Sequence, residues 1–178
     1  MAALNTSVAL GTPRHSRNEV FGNILTFGAG KEGQLGHGEP LTARQLQPKK
    51  IEELSNQHFR QVSCGYHHTA VVMNTGEAYT FGSNQFGQLG QGDVDPAGAT
   101  SVPRLVKISD PVIAISCGWK HTAAVTDQGH VFTWGSDEYC RLGQGEPSAG
   151  TSDTFSPRGP GPGVLGSVPT PRDAGDGA

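Results

Sequence analysis

Three stretches of this chain are near copies of one another. They read FGAGKEGQLGHGE from Phe27, FGSNQFGQLGQGD from Phe81 and WGSDEYCRLGQGE from Trp134, and their glycines Gly28, Gly82 and Gly135 are separated by steps of 54 and 53 residues. A second phrase keeps the same step, with SCGYHHTAVVMNTGEAYTFG from Ser63 and SCGWKHTAAVTDQGHVFTWG from Ser116. A period near fifty with several short apolar runs in each unit is the pattern of propeller blades or a related array. A residue that returns in register serves the repeating unit, and this restrains any catalytic reading of it.

Within the repeats the strand signals are short. Ile24–Phe27 leads into the first Gly-rich loop. Phe59–Cys64 and Thr69–Met73 flank a tight Gly-Tyr-His connection, and Ala78–Phe81 returns after the turn Asn74-Thr75-Gly76-Glu77. Pro103–Ile108, Val112–Ser116, Thr122–Thr126 and Val131–Trp134 repeat the scheme, with Asp127-Gln128-Gly129 as the matching turn. Glycine supplies the positive φ that such turns ask for. The only helical candidate, Lys49–Leu54, is too short to stand alone. Alanines in the strands suggest close packing of sheet on sheet.

Composition sets the limits around this core. Residues 1–19 are rich in Ser and Thr, carry no apolar run of the secretory kind, and read as a disordered leader. Residues 20–145 carry the repeats. Residues 146–178 hold six of the twelve prolines and seven glycines, and few bulky apolar groups remain there to offset ordering entropy. They read as a disordered Gly/Pro-rich tail. The formal net charge of −3 speaks against nucleic acid or chromatin as a partner, since such proteins usually present a basic surface. No apolar run approaches the roughly 20 residues of a membrane-spanning helix. Cys64 and Cys117 fall at equivalent places and read as reduced, buried small side chains, with Cys140 as an odd thiol.

Several motifs imitate chemistry. Gly28-Ala29-Gly30-Lys31-Glu32-Gly33 matches G-x-G-x-x-G, but the dinucleotide fold needs a helix immediately afterwards, and Gln34-Leu35-Gly36-His37-Gly38 is hostile to one. Cys64-x-x-x-His68 and Cys117-x-x-x-His121 resemble metal ligands, yet a zinc site needs four converging groups, and repeats spread residues around an axis. The same spacing gives His68 and His121 a local role, satisfying a backbone group near their own turn. Asp93 and Asp95 lie in a loop whose spacing does not fit a calcium site. No nucleophile, base and acid stand together. No catalytic, cofactor or metal residue is therefore assigned.

The recurring phrases resemble the repeats of the regulator of chromosome condensation family, the RCC1-like propellers. The pieces that carry the likeness are Gly33-Gln34-Leu35-Gly36 and Gly87-Gln88-Leu89-Gly90, Ser63-Cys64-Gly65-x-x-His68-Thr69 and its copy from Ser116, and the returns ending at Gly82 and Gly135. They cover residues 24–145. The resemblance implies an all-β fold, a partial RCC1-type β-propeller of four-stranded blades. Family propellers carry about seven repeats, so this chain implies about two blades plus a remnant, an open arc between disordered tails. Gly28, Gly33, Gly36, Gly82, Gly87, Gly90, Gly135 and Gly143, with His68 and His121, are then structural repeat residues. Cys140 stands where Gly33 and Gly87 stand, which predicts a strained third loop.

The resemblance implies a protein-interaction module or regulatory scaffold, a short or truncated form of a longer propeller protein. It acts on a protein partner in the cytoplasm or nucleus, with no cofactor and no membrane. Tyr66, His67, Trp119, Lys120, Asp93 and Asp95 are the candidate partner-binding residues; for Trp119, core and rim remain open. Guanine-nucleotide exchange on a small GTPase is the alternative, although none of the family's exchange residues maps onto this chain. Self-association through open blade edges is a further expectation.

Overall fold

The computed structural model of the chain describes residues 6–10, 20–38, 44–92, 98–143 and 153–158. Twelve strands run through them: β1 (Thr6–Leu10), β2 (Val20–Gly22), β3 (Ile24–Ala29), β4 (Arg44–Lys50), β5 (Gln57–Cys64), β6 (His68–Met73), β7 (Ala78–Ser83), β8 (Ala99–Leu105), β9 (Val112–Cys117), β10 (His121–Thr126), β11 (Val131–Ser136) and β12 (Asp153–Arg158). They form three antiparallel sheets, ordered β1-β3-β4, β2-β5-β6-β7-β8 and β12-β11-β10-β9. Among the described residues the only helical turns are short 3-10 pieces at Glu52–Leu54 and Glu138–Cys140. The second sheet holds a full set of four repeat strands, β5 to β8; the third holds three, β9 to β11, and takes its fourth, β12, from beyond the repeats; the first is the remnant.

In each sheet the strand before the Gly-rich loop keeps the same register. Thr69 pairs with Phe81 and Thr122 with Trp134. In the first sheet Ser7 of β1 pairs with Phe27, so β1 occupies the place that β6 and β10 hold elsewhere. No strand is expected from the sequence in residues 1–19 or 146–178, yet β1 pairs with β3 and β12 with β11. An exposed strand edge is a row of unpaired backbone groups and asks little of the side chains that cover it. Lys49 and Lys50 belong to β4, not to a helix. β4 is an exposed edge with Pro48 and shows no apolar alternation, and only Glu52–Leu54 turn. The strand expected at Pro103–Ile108 lies earlier, at Ala99–Leu105.

Apolar burial joins the sheets face to face. Ile24, Ile51, Phe59, Val71, Met73 and Phe81 form the core between the first and second sheets. Ala70, Val72, Ala78, Val112, Ile115, Ala124 and Trp134 form the core between the second and third. β6 is thus buried on both faces, Val71 and Met73 toward one neighbour, Ala70 and Val72 toward the other. Each large aliphatic or aromatic side chain so buried contributes about 1.5–3 kcal/mol. β10 is buried on one face only, through Thr122, Ala124 and Thr126, while His121, Ala123 and Val125 between them are half-buried. Among the described residues no further sheet covers that outer face, and the three sheets form a partial propeller.

Polar bonds repeat across these interfaces. Thr69 Oγ1 donates to the Gln34 carbonyl at 2.9 Å, and Thr122 Oγ1 donates to the Gln88 carbonyl at 2.8 Å. The Trp134 indole Nε1–H also reaches the Gln88 carbonyl, at 2.9 Å. The Gln61 side-chain amide donates to the Ile115 carbonyl at 2.8 Å and accepts from the Ile115 amide at 3.0 Å. Within each sheet a threonine ties down its own loop: Thr26, Thr80 and Thr133 donate to the carbonyls of Leu35, Leu89 and Leu142 at 2.7, 2.7 and 2.8 Å.

Glycine is required where the loop of one sheet meets the aromatic group of the next. Gly36 has φ +71°, and a Cβ there would lie 2.8 Å from the Phe81 ring. Gly90 has φ +65°, and a Cβ would lie 2.6 Å from Trp134 Nε1. The left-handed region and the close approach both exclude a larger residue.

Candidate functional site

The tight connections and the Gly-rich loops share one rim of the arc. Strand β6 begins at His68, opposite Gly82 at the end of β7, so the turn at residues 65–67 and the loop at 84–92 emerge together. Gly65 lies against the His68 ring, and its amide donates to the His68 carbonyl at 2.8 Å; Gly118 does the same with His121. With these bends closed by glycine, the next two residues stand at the tip. Those are Tyr66-His67 and Trp119-Lys120.

The structure brings all four together. The Tyr66 and His67 rings lie 4.1 Å apart between centroids, and Tyr66 and Trp119 lie 5.2 Å apart, both tilted near 60°. Lys120 Nζ sits 4.2 Å above the Phe86 ring and 5.9 Å from Trp119. Trp119 is 57 % exposed, which places it at the rim and not in the core. The chain's other tryptophan, Trp134, stands in the place of Phe27 and Phe81 and is buried. The Tyr66 amide also reaches the Gly118 carbonyl at 3.4 Å, which links the two tips directly. An aromatic surface around a cation held over π faces is a preferred anchor for protein partners.

Phe86 is absent from the candidates drawn from the sequence. It occupies the loop position filled by Glu32 in the first repeat and Tyr139 in the third, and an aromatic residue at a variable place of a Gly-rich loop is the signal that points to it. Tyr139 is 89 % exposed, with the Arg141 guanidinium 5.8 Å from its ring, so the aromatic–cation pairing recurs one repeat on. Asp93 and Asp95 lie outside the described residues.

The two repeat histidines differ in setting: His68 is fully buried between two sheets, whereas His121 is half-buried on the outer face of β10. Thr122 spends its proton on the Gln88 carbonyl, so the 2.9 Å contact between His68 Nε2 and Thr122 Oγ1 has the imidazole as donor. The expected local backbone bond is replaced by this bond to the neighbouring sheet. Burial, reinforced by the nearby His121, lowers the His68 pKa to about 3, so the ring is neutral at physiological pH. Burial lowers His121 in the same direction. Cys117 donates to the Ser63 carbonyl at 3.5 Å, and burial pushes its thiol up to about 12. All three cysteines are free. Among the described residues no three of His, Cys, Asp or Glu converge on a metal site. The loop after Gly33 forms two successive turns, closed by Gly33 to Gly30 and Gly36 to Gly33 bonds, and launches no helix toward a phosphate.

A family model described as the regulator of chromosome condensation (RCC1) repeat matches residues 22–72 and 75–125, and a second model of that repeat matches 59–88 and 112–139. The chain belongs to the RCC1 repeat family. It is 41 % identical over 128 residues to the ultraviolet-B receptor UVR8 of Arabidopsis thaliana, covering 70 % of this chain and 28 % of the receptor. It is 36 % identical over 131 residues to the human E3 ubiquitin-protein ligase HERC2, covering 71 % of this chain and 3 % of the ligase. It is 37 % identical over 134 residues to the mouse regulator of chromosome condensation, covering 75 % of this chain and 31 % of that protein. The chain thus spans less than a third of these relatives. In fold it resembles yeast Prp20p, with TM-score 0.69 and 22 % identity, over 82 % of this chain and 36 % of that one. Human WBSCR16 gives TM-score 0.66 and 23 % identity over 86 % and 37 %. The likeness to Prp20p, yeast RCC1, fits the all-β partial propeller described above. No helix among the described residues is long and apolar enough to cross a membrane.

Proposed function

We propose that this RCC1-repeat arc is a protein-interaction module, and that the rim formed by Tyr66, His67, Phe86, Trp119 and Lys120 is its docking surface. The observation that carries this reading is the juxtaposition of the two tips. Residues 53 apart in the chain stack as one aromatic surface, with an exposed tryptophan at its edge. Its relatives act in light reception, ubiquitin ligation and chromosome condensation by their names, and a shared repeat in such different proteins suits a recognition module. His68, bonded to Thr122 of the next sheet, and the loop glycines Gly36 and Gly90 hold the sheets together behind it. The site of action is cytoplasmic or nuclear.

The test replaces Lys120 with a photo-crosslinking residue, identifies the captured protein by mass spectrometry, and measures its binding to the purified chain. Trp119→Ala weakens that binding at least tenfold, the loss of about 1.4 kcal/mol or more usual for a buried aromatic anchor. Unchanged binding by both Trp119→Ala and Tyr66→Ala overturns the assignment.

Exchange of guanine nucleotide on a small GTPase is the second reading, favoured by the 37 % identity to the mouse regulator. Its test is release of fluorescent nucleotide from purified small GTPases. Acceleration by substoichiometric amounts of this chain establishes it, and release at the intrinsic rate at every concentration removes it.

A further inference from the structure

The aromatic rim carries a charge that the described residues leave without a counter-ion. Lys120 Nζ lies over the Phe86 ring at 4.2 Å and beside Trp119 at 5.9 Å. Among the described residues the ion pairs are Lys50 with Glu52, His130 with Asp110 and Arg141 with Glu138, and Lys120 takes part in none of them. An ammonium has three N–H donors, and a ring face attracts its charge from one side only. The donors turned away from the rings remain for an acceptor.

The acids of the third loop are already engaged. Glu138 Oε2 holds the Arg141 guanidinium at 3.1 Å, and Asp137 Oδ1 accepts the Leu142 amide at 3.0 Å. Beside Lys120 in the chain, the pKa of His121 is lowered by burial first and by the Arg141 charge second, so a second cation stands close to this tip. The repeat also shows that the fold does not need the lysine. Where the tip after Gly118 has Lys120, the tip after Gly65 has His67. The strand pairing behind the two is the same, His121 with Gly135 and His68 with Gly82.

We infer that the partner presents an acidic segment, with a carboxylate on Lys120 and a neighbouring apolar side chain on the rings of Tyr66 and Trp119; this rests on the rim being the docking surface. A basic segment would set like charges against Lys120 and Arg141. A wholly apolar one would cover the ammonium and leave it unpaired, which costs more than the apolar contact returns. The rings supply most of the affinity, and Lys120 sets the choice of partner.

A random-peptide library displayed on phage and selected against the purified full chain tests this. The selected peptides carry Asp or Glu next to an aromatic or large aliphatic residue. A synthetic copy of one binds about tenfold more weakly to Trp119→Ala and about fivefold more weakly to Lys120→Met, while circular dichroism of both variants stays that of the parent. Lys120→Arg keeps the preference for acid, and a fresh selection on Lys120→Glu enriches Lys or Arg in its place. Raising the salt concentration weakens binding to the parent, a reading that needs no variant. Peptides that require Trp119 and Tyr66 but show no enrichment of acid overturn this inference and leave the docking surface standing. Peptides indifferent to both Trp119→Ala and Tyr66→Ala overturn the docking surface, and this inference with it. A library that yields no binder overturns it too, and phosphatidylserine vesicles that then bind through Lys120 give the surface to a membrane.

Discussion

Gly90 and Gly143 are a matched pair, and replacing each by alanine separates backbone strain from inter-sheet packing. Their φ angles are +65° and +64°, so alanine meets the same left-handed penalty at both, on the order of 1 kcal/mol. Of the two, only Gly90 has another sheet against its added Cβ among the described residues, 2.6 Å from Trp134 Nε1 and 2.9 Å from Cδ1 and Cε2 of the same ring. That ring cannot retreat easily. It is fully buried, and its Nε1–H is held on the Gln88 carbonyl at 2.9 Å. Overpacking of this kind costs about 1–3 kcal/mol. Gly143→Ala should therefore lose about 1 kcal/mol and Gly90→Ala about 2–4 kcal/mol. Urea unfolding followed by circular dichroism measures both, and a denaturant slope of about 1–3 kcal/mol per molar makes the difference visible as a clear shift in midpoint. Equal losses in the two variants would refute the claim that this glycine exists to admit the neighbouring aromatic ring.

Three further outcomes follow from the same contacts. Thr122→Val removes the donor to Gln88 and the acceptor for His68, and should cost about 2–4 kcal/mol in urea unfolding, because a buried imidazole N–H is left unpaired. Cys140 adopts φ +54° where Gly33 and Gly87 have +76° and +74°, so Cys140→Gly should raise the unfolding midpoint by about 1 kcal/mol of stability. His68 is held near pKa 3 by burial, far below the ordinary imidazole value of about 6.5, so the unfolded state binds its proton first as pH falls. Stability is complete above about pH 6.5 and declines toward pH 3, by on the order of 2–3 kcal/mol at pH 4.5 from this residue alone. His121 and His37, lowered the same way, add to that slope, and His68→Gln should flatten it in pH-dependent urea titrations.

What could be read from the sequence was whatever repeats. The threonines that tie the loops to Leu35, Leu89 and Leu142 recur with the period, as do the glycines and the strand pairs they bound. The tips Tyr66-His67 and Trp119-Lys120 were legible as loop residues because glycine closes the bend beside each. Their stacking was not, since it depends on the lateral spacing of sheets, which no single repeat encodes. The partner of His68 was missed for the same reason: it lies 54 residues away, in the neighbouring sheet. β1, β4 and β12 escaped because edge strands are held by backbone bonds and show little apolar alternation. Phe86 was hidden at a loop position that differs in each repeat.

The claim on which everything rests is that successive repeats lie side by side, each loop glycine receiving the aromatic group of the next sheet. Nuclear Overhauser contacts to the Trp134 indole proton in a labelled sample address it most directly. Cross-peaks to the α-protons of Gly90, with slow exchange of the indole proton, are the predicted result. An indole proton that lacks those cross-peaks and exchanges at the rate of free tryptophan would contradict the stacked arc.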